Sequence, residues 1–240
     1  MKLEKLASYR TSTAPTDLTV VDDMVLVADL MKSVCIVKYV SDSSDKNDIL
    51  KHELKEIGRH YQTVWTTAVA SVGEDTLLVS EAQGNLIVLS RNTNGVTDQD
   101  KHRLVPTSEI ALGEMVNRIR PIHIPQLVSV TVTPRAFLAT VEGSIYLFAL
   151  INPEHQDFLM TLQNVIAQKV DSLGDLPFDK FRAFRTLTRS ADGPYRFVDG
   201  ELIEQFLNCD PILQEEIVSE VGSGTIDGVK EMIEALRRLH

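Results

Sequence analysis

The apolar positions of this chain group into a unit that occurs three times: an apolar strand, an acidic residue, a small polar turn and a second apolar strand. The copies occupy residues 25–37, 77–89 and 137–148, with Asp29, Glu81 and Glu142 as the acidic residues. Val27 to Val79 spans 52 residues and Gly84 to Gly143 spans 59, the spacing of propeller blades with long loops. Up to about residue 150 the period is two, and short turn signals such as Asp22-Asp23, Gly84-Asn85, Asn94-Gly95 and Glu142-Gly143 separate the apolar runs. This predicts an all-β region of antiparallel four-stranded blades. Residues 3–9 read as a further strand inside a blade whose preceding partner is absent. Three blades do not close a ring, so the pattern predicts part of a larger propeller with open edge strands. The polar stretches 41–51 and 91–103 read as exposed loops.

Beyond Asn152-Pro153 the period becomes helical. Phe158, Leu162, Val165, Ile166 and Val170 share one face of a helix predicted over 153–173, with Gly174 as its stop. Shorter helices are predicted over 178–184, 200–207 and 211–221, the second capped by Asp199. A final helix carries Val229, Met232, Ile233, Leu236 and Leu239 on one stripe. Its last turn holds Arg237 and Arg238, where the helix dipole favours cations, and it reads as the end of a chain. The fold class is therefore mainly β with an α-helical C-terminal domain: a partial, WD-like β-propeller over residues 1–151 and a small helical domain over 152–240.

Length and charge restrict what such a scaffold does. With 240 residues, 43% of them hydrophobic, the chain has material for a substantial core. The formal charge of −10 opposes general attraction to a phosphate backbone. Cys35 and Cys209 lack partner spacing and read as reduced thiols, and the six histidines show no ligand-like spacing, so neither a metal nor a cofactor is expected. No apolar signal core or membrane-length run occurs, which leaves cytoplasm or nucleus. Phosphate-binding loops, dinucleotide fingerprints, nucleophile elbows and zinc-protease motifs are absent, so no enzyme is expected.

Three features remain as candidate chemistry. Asp29, Glu81 and Glu142 could converge on a channel, but repeated turn chemistry, with a carboxylate accepting from hairpin amides, accounts for them more simply. Residues 177–197 interleave Lys180, Arg182, Arg185 and Arg189 with aromatics, a composition suited to nucleotides or acidic partners. On a short helix the same spacing packs the aromatics inward and leaves the arginines in solvent. Trp65, the only tryptophan, fits a core position or a partner anchor equally well.

Several runs carry a resemblance: 29–34 (DLMKSV), 65–69 (WTTAV), 84–86 (GNL), 112–117 (LGEMVN), 140–145 (TVEGSI), 197–207 (FVDGELIEQFL) and the ending 233–240. Together they resemble the C-terminal region of the large subunit of the damage-specific DNA-binding protein, a cullin-RING ubiquitin ligase adaptor. The large subunit of the cleavage and polyadenylation specificity factor and a splicing-factor subunit share that region more loosely. The resemblance covers almost the whole chain in order. It implies a nuclear (also cytoplasmic), non-enzymatic adaptor, with these residues forming the later blades of a third propeller and the helical domain after it. It further implies that Met31, Trp65, Met115, Asn117 and Val141 face substrate-receptor proteins. The cullin would be met only by regions outside this sequence, and nucleic acid weakly or indirectly. The alternative is a subunit of pre-mRNA cleavage, polyadenylation or splicing machinery.

Overall fold

A computed structural model describes residues 3–42, 51–122 and 129–239. Among the described residues, eleven strands build three antiparallel sheets. In the first, β1 (Pro15–Val21), β2 (Met24–Asp29), β3 (Ser33–Asp42) and β4 (Lys51–Arg59) follow one another in chain order. The second repeats that order with β5 (Thr66–Gly73), β6 (Thr76–Glu81), β7 (Asn85–Arg91) and β8 (Leu104–Ala111). The third has β9 (Val116–Pro121), β10 (Val132–Thr140) and β11 (Ile145–Ile151), and among the described residues it has no fourth strand, unlike the four-stranded blade the sequence predicts. The chain turns into a helix at Pro153 instead, where the missing amide hydrogen and fixed φ suit a first helical position.

The sheets stand side by side as blades. Their first strands, β1, β5 and β9, touch one another along the inner edge, where Thr19 Oγ1 donates to Val69 O (2.8 Å) and Asp17 Oδ2 accepts from Val69 N (3.2 Å). Between blades one and two lies a core of Leu26, Val34, Ile36, Val69, Val79, Ile87 and Leu89. Leu78, Val88, Val116, Ile119, Leu138 and Phe148 fill the gap between blades two and three. Strands buried on both faces lose the polar alternation of a half-exposed sheet, which is why β6 and β7 read as continuous apolar runs. The architecture is a partial β-propeller followed by a small helical part.

That helical part has its own core, built from Leu159, Leu162, Ile166, Ile203, Phe206, Ile217, Val229 and Ile233. Helix α1 (Asp98–His102) is a short turn inside the stretch expected to be loop, started by a reciprocal Thr97–Asp100 capping box. Helix α2 (Pro153–Lys169) carries the predicted apolar face but ends before Gly174, which lies in a separate 3-10 turn with φ 71°. Helix α3 (Phe178–Phe181) is shorter than predicted. Helices α4 (Gly200–Glu204), α5 (Pro211–Val221) and α6 (Ile226–Arg237) follow, and Asp199 caps α4 by accepting from Glu201 N (3.0 Å).

Residues 3–12 are not the predicted strand: they run without regular structure, with no neighbour to complete a ladder. Tyr9 packs beside Val27, Cys35 and Val37 on the outer flank of blade one, and its hydroxyl meets Glu56 and Arg59. Most of the expected 41–51 loop lies outside the described residues.

Candidate protein-binding face

One device recurs at the same end of every blade. The residue after the second strand donates its amide to the carbonyl just before the first strand: Leu30 N to Ala14 O (2.8 Å), Ala82 N to Trp65 O (2.9 Å) and Val141 N to Met115 O (2.9 Å). Trp65 and Met115 therefore occupy equivalent positions, and the hairpins at 30–32, 82–84 and 141–143 stand beside them at one end of the blades.

The residue closing each hairpin explains why the turns hold. Asp29, buried, accepts from Thr13 N (2.7 Å), Met31 N (3.1 Å) and Lys32 N (3.0 Å). Burial would raise its carboxyl, but these donors hold it below the ordinary range. Glu81, also buried, accepts from the Asn85 amide and side chain, yet burial prevails there and pushes its carboxyl up. In the third blade the equivalent residue is Thr140, whose Oγ1 accepts from Ser144 N (3.0 Å). The acid expected at that place, Glu142, lies two residues further on, in the exposed turn, and accepts from Met115 N (3.2 Å). The three acids thus do not converge on a channel: two close turns, and the third ties the hairpin of blade three to the connection between blades two and three.

These turns display apolar side chains to solvent. Trp65 is 44% exposed, which excludes a core position, and Met31 and Val141 are exposed as well. Met115 is half-buried beside them. Asn117 is exposed but lies along β9 on the inner edge, beyond Val116. Leu30, exposed next to Met31, escaped the sequence reading. Its signal was present as an apolar pair in the turn between two strands, where solvent-facing positions are ordinarily polar. Unbranched methionine and a large rigid indole on fixed turns form an adaptable apolar surface of the kind that anchors partners.

The basic segment has another place. Arg182 is 5% exposed: Nε pairs with Asp199 (2.6 Å), Nη1 donates to Leu112 O (2.7 Å), and the guanidinium lies 4.5 Å from the Phe181 ring centroid. Arg189 pairs with Glu109 and stacks over Phe184 at 4.5 Å. The spacing predicts aromatics inward and arginines outward; Phe184 is buried as expected, but Arg182 is buried too and Phe181 is exposed. Helix α3 ends at Phe181, so the chain after it turns along blade two and Phe184 enters the core between blades one and two. Lys180 and the Arg185 side chain are left on the surface. Among the described residues no group of three or more metal-ligating side chains occurs, and no helix is long and apolar enough to cross a membrane.

Side-by-side antiparallel blades followed by a small helical part define a partial β-propeller, with apolar side chains exposed at one end of the blades. The chain belongs to the CPSF A subunit region family, whose model matches residues 1–208. It is similar to DNA damage-binding protein 1 of Schizosaccharomyces pombe, 30% identical over 97% of this chain and 21% of that protein. DNA damage-binding protein 1a of Arabidopsis thaliana is 31% identical, and DNA damage-binding protein 1 of Solanum lycopersicum 32%, each over 91% of this chain and 19% of the relative. The chain spans about a fifth of the length of these relatives.

Proposed function

We propose that this chain is part of a nuclear adaptor that brings substrate-receptor proteins to a cullin-RING ubiquitin ligase in DNA-damage repair. In this reading residues 1–151 are later blades of a third propeller and residues 152–240 its helical C-terminal domain. Leu30, Met31, Trp65, Met115 and Val141 receive an apolar helical element of the receptor, with Asn117 at the margin of the contact. The cullin is met by regions this chain does not contain. The observation that carries the proposal is the exposure of Met31 and Val141 on hydrogen-bonded hairpin turns and of Trp65 on the connection beside them, because large apolar side chains grouped on the surface mark interaction sites.

The test is affinity for a receptor protein, measured with the rest of the adaptor present. Trp65→Ala is expected to weaken binding at least about tenfold, as truncation of a central anchor costs about 2 kcal/mol or more. Val96→Ser, at a fully exposed loop position, should leave affinity unchanged. Loss of affinity only in step with the unfolding midpoint would reduce Trp65 to a packing role. The family's name favours a second reading, a subunit of pre-mRNA cleavage, polyadenylation or splicing machinery. Recovery of such subunits, and not ligase receptors, on the same face would select it.

A further inference from the structure

The segment after α3 does more than cover blade two. Arg182 O accepts from Ala111 N (3.0 Å), and the Arg182 guanidinium donates to the carbonyls of Leu112 and Ala111. Three residues on, the side chain of Asn85 bonds both ways to the backbone of Arg185: Nδ2 donates to Arg185 O (2.7 Å) and Oδ1 accepts from Arg185 N (3.2 Å). Asn85 is 1% exposed and its Nδ2 also reaches Glu81, the carboxylate that closes the blade-two hairpin. Tyr195 then pairs with Glu109 on β8. The segment from Arg182 to Tyr195 is therefore a strap, fixed at one end to the helical part through Asp199 and at several points to blade two.

The two pieces of blade two that the strap grips lead directly to the candidate face. The hairpin closed by Glu81 and Asn85 donates Ala82 N to Trp65 O. Gly84 O in the same hairpin accepts from Leu112 N (2.8 Å) and Gly113 N (3.1 Å), which joins it to the connection running into Met115. That approach needs a glycine: with φ +80°, a Cβ at residue 84 would stand 3.0 Å from Glu114 N and 3.1 Å from the Gly113 carbonyl carbon. Met31 is held in blade one by Asp29 and Thr13, with no strap contact in those bonds, and its turn also meets the chain around Trp65, where Thr66 Oγ1 donates to Asp29 O (2.5 Å) and Ser33 N donates to Val64 O (3.2 Å).

We infer that Asn85 and Arg182 are positioning residues through which the strap of the helical part sets the Trp65 and Met115 half of the binding face directly, while the Met31 half is held by blade one and is reached at second hand through Thr66. The inference rests on the proposed role of that face, but its geometry is measured without any partner. Buried polar pairs with all partners in place fix one arrangement of the turns they join, and losing one member releases it. The segment with the strongest nucleic-acid composition thus serves the protein-binding surface from behind.

The experiment uses this chain with methionine methyl groups labelled for NMR, together with the fluorescence of Trp65, its only tryptophan. Arg182→Lys keeps the cation beside Asp199 but loses the planar fork that reaches two carbonyls. It should shift Trp65 emission to the red, increase its quenching by acrylamide, and move the Met115 methyl signal more than the Met31 methyl signal. Asn85→Ala should produce the same pattern more strongly, and if that variant does not fold, Arg182→Lys decides alone. Unchanged Trp65 and Met115 signals in Arg182→Lys would overturn the inference. So would Met31 moving as far as Met115, which is what general loosening of the fold produces. Neither result touches receptor binding, so failure of the positioning role and failure of the adaptor reading are separately visible.

Discussion

His60 shows how a single residue came to matter without any motif to announce it. It is buried where blade one passes into blade two, with Nδ1 2.7 Å from Ser33 Oγ and, among the described residues, no partner for Nε2. Burial, reinforced by the guanidinium groups of Arg189 and Arg103, pushes its pKa down from 6.5 to about 4. The folded protein thus holds a neutral imidazole where the unfolded chain takes up a proton. Stability contributed by His60 is present above its ordinary pKa of 6.5 and is lost as pH falls toward about 4. Urea midpoints across that window should fall with a slope of at most about 1.4 kcal/mol per pH unit from this group, and His60→Asn should flatten it. An unchanged slope in the variant would mean that the imidazole takes up its proton equally in the folded and unfolded chain. In the sequence His60 was one of six scattered histidines, because burial is a property of the packed blades and not of the residues beside it. Trp65 was open between core and anchor for the same reason; its exposure depends on where blades one and two meet.

Elements were more legible than residues wherever the pattern was local. Helix α5 runs over the predicted residues because Pro211 and Asp210 mark its start and Gly222, with φ 74°, supplies the left-handed residue at its end. Asp210 accepts from Ile212 N (2.9 Å) and Leu213 N (3.0 Å). Asp210→Ala should lower stability by about 1 kcal/mol, within the usual range of about 0.5 to 2 for a lost cap, read from the urea midpoint. No measurable change would show that water replaces the cap at no cost. Where an element depended on distant neighbours the pattern misled. Residues 3–9 read as a strand but join no ladder among the described residues, and α3 stops at Phe181 because the strap claims the residues after it. Glu142 matched Asp29 and Glu81 in spacing from the turn, yet a two-residue offset in the third hairpin puts Thr140 in their place.

At the scale of the whole molecule, the two outer flanks of the row of blades stay apolar. On the first, Leu18 pairs with Val27 and Val20 with Val25, and both Leu18 and Val20 are exposed. On the last, Phe137 and Ile145 are exposed on the face opposite the core between blades two and three. Flanks of this kind, with open strand edges, drive association. This chain by itself should therefore form concentration-dependent oligomers in sedimentation velocity despite its charge of −10, and a Val20→Lys, Ile145→Lys variant should shift it toward monomer. A monomer at every concentration would show that the flanks are covered in solution. By itself the sequence determined the repeated hairpin, the change from strand to helix at residue 153 and the Asp199 cap, since each follows from hydrogen bonding and side-chain periodicity within a few residues. Only the tertiary structure decided that the basic segment is a strap, that Arg182 is buried while Trp65 is exposed, and that Trp65 and Met115 stand at equivalent blade positions. Those outcomes depend on contacts between residues up to 100 positions apart, as between Asn85 and Arg185, and such contacts leave no period in the chain.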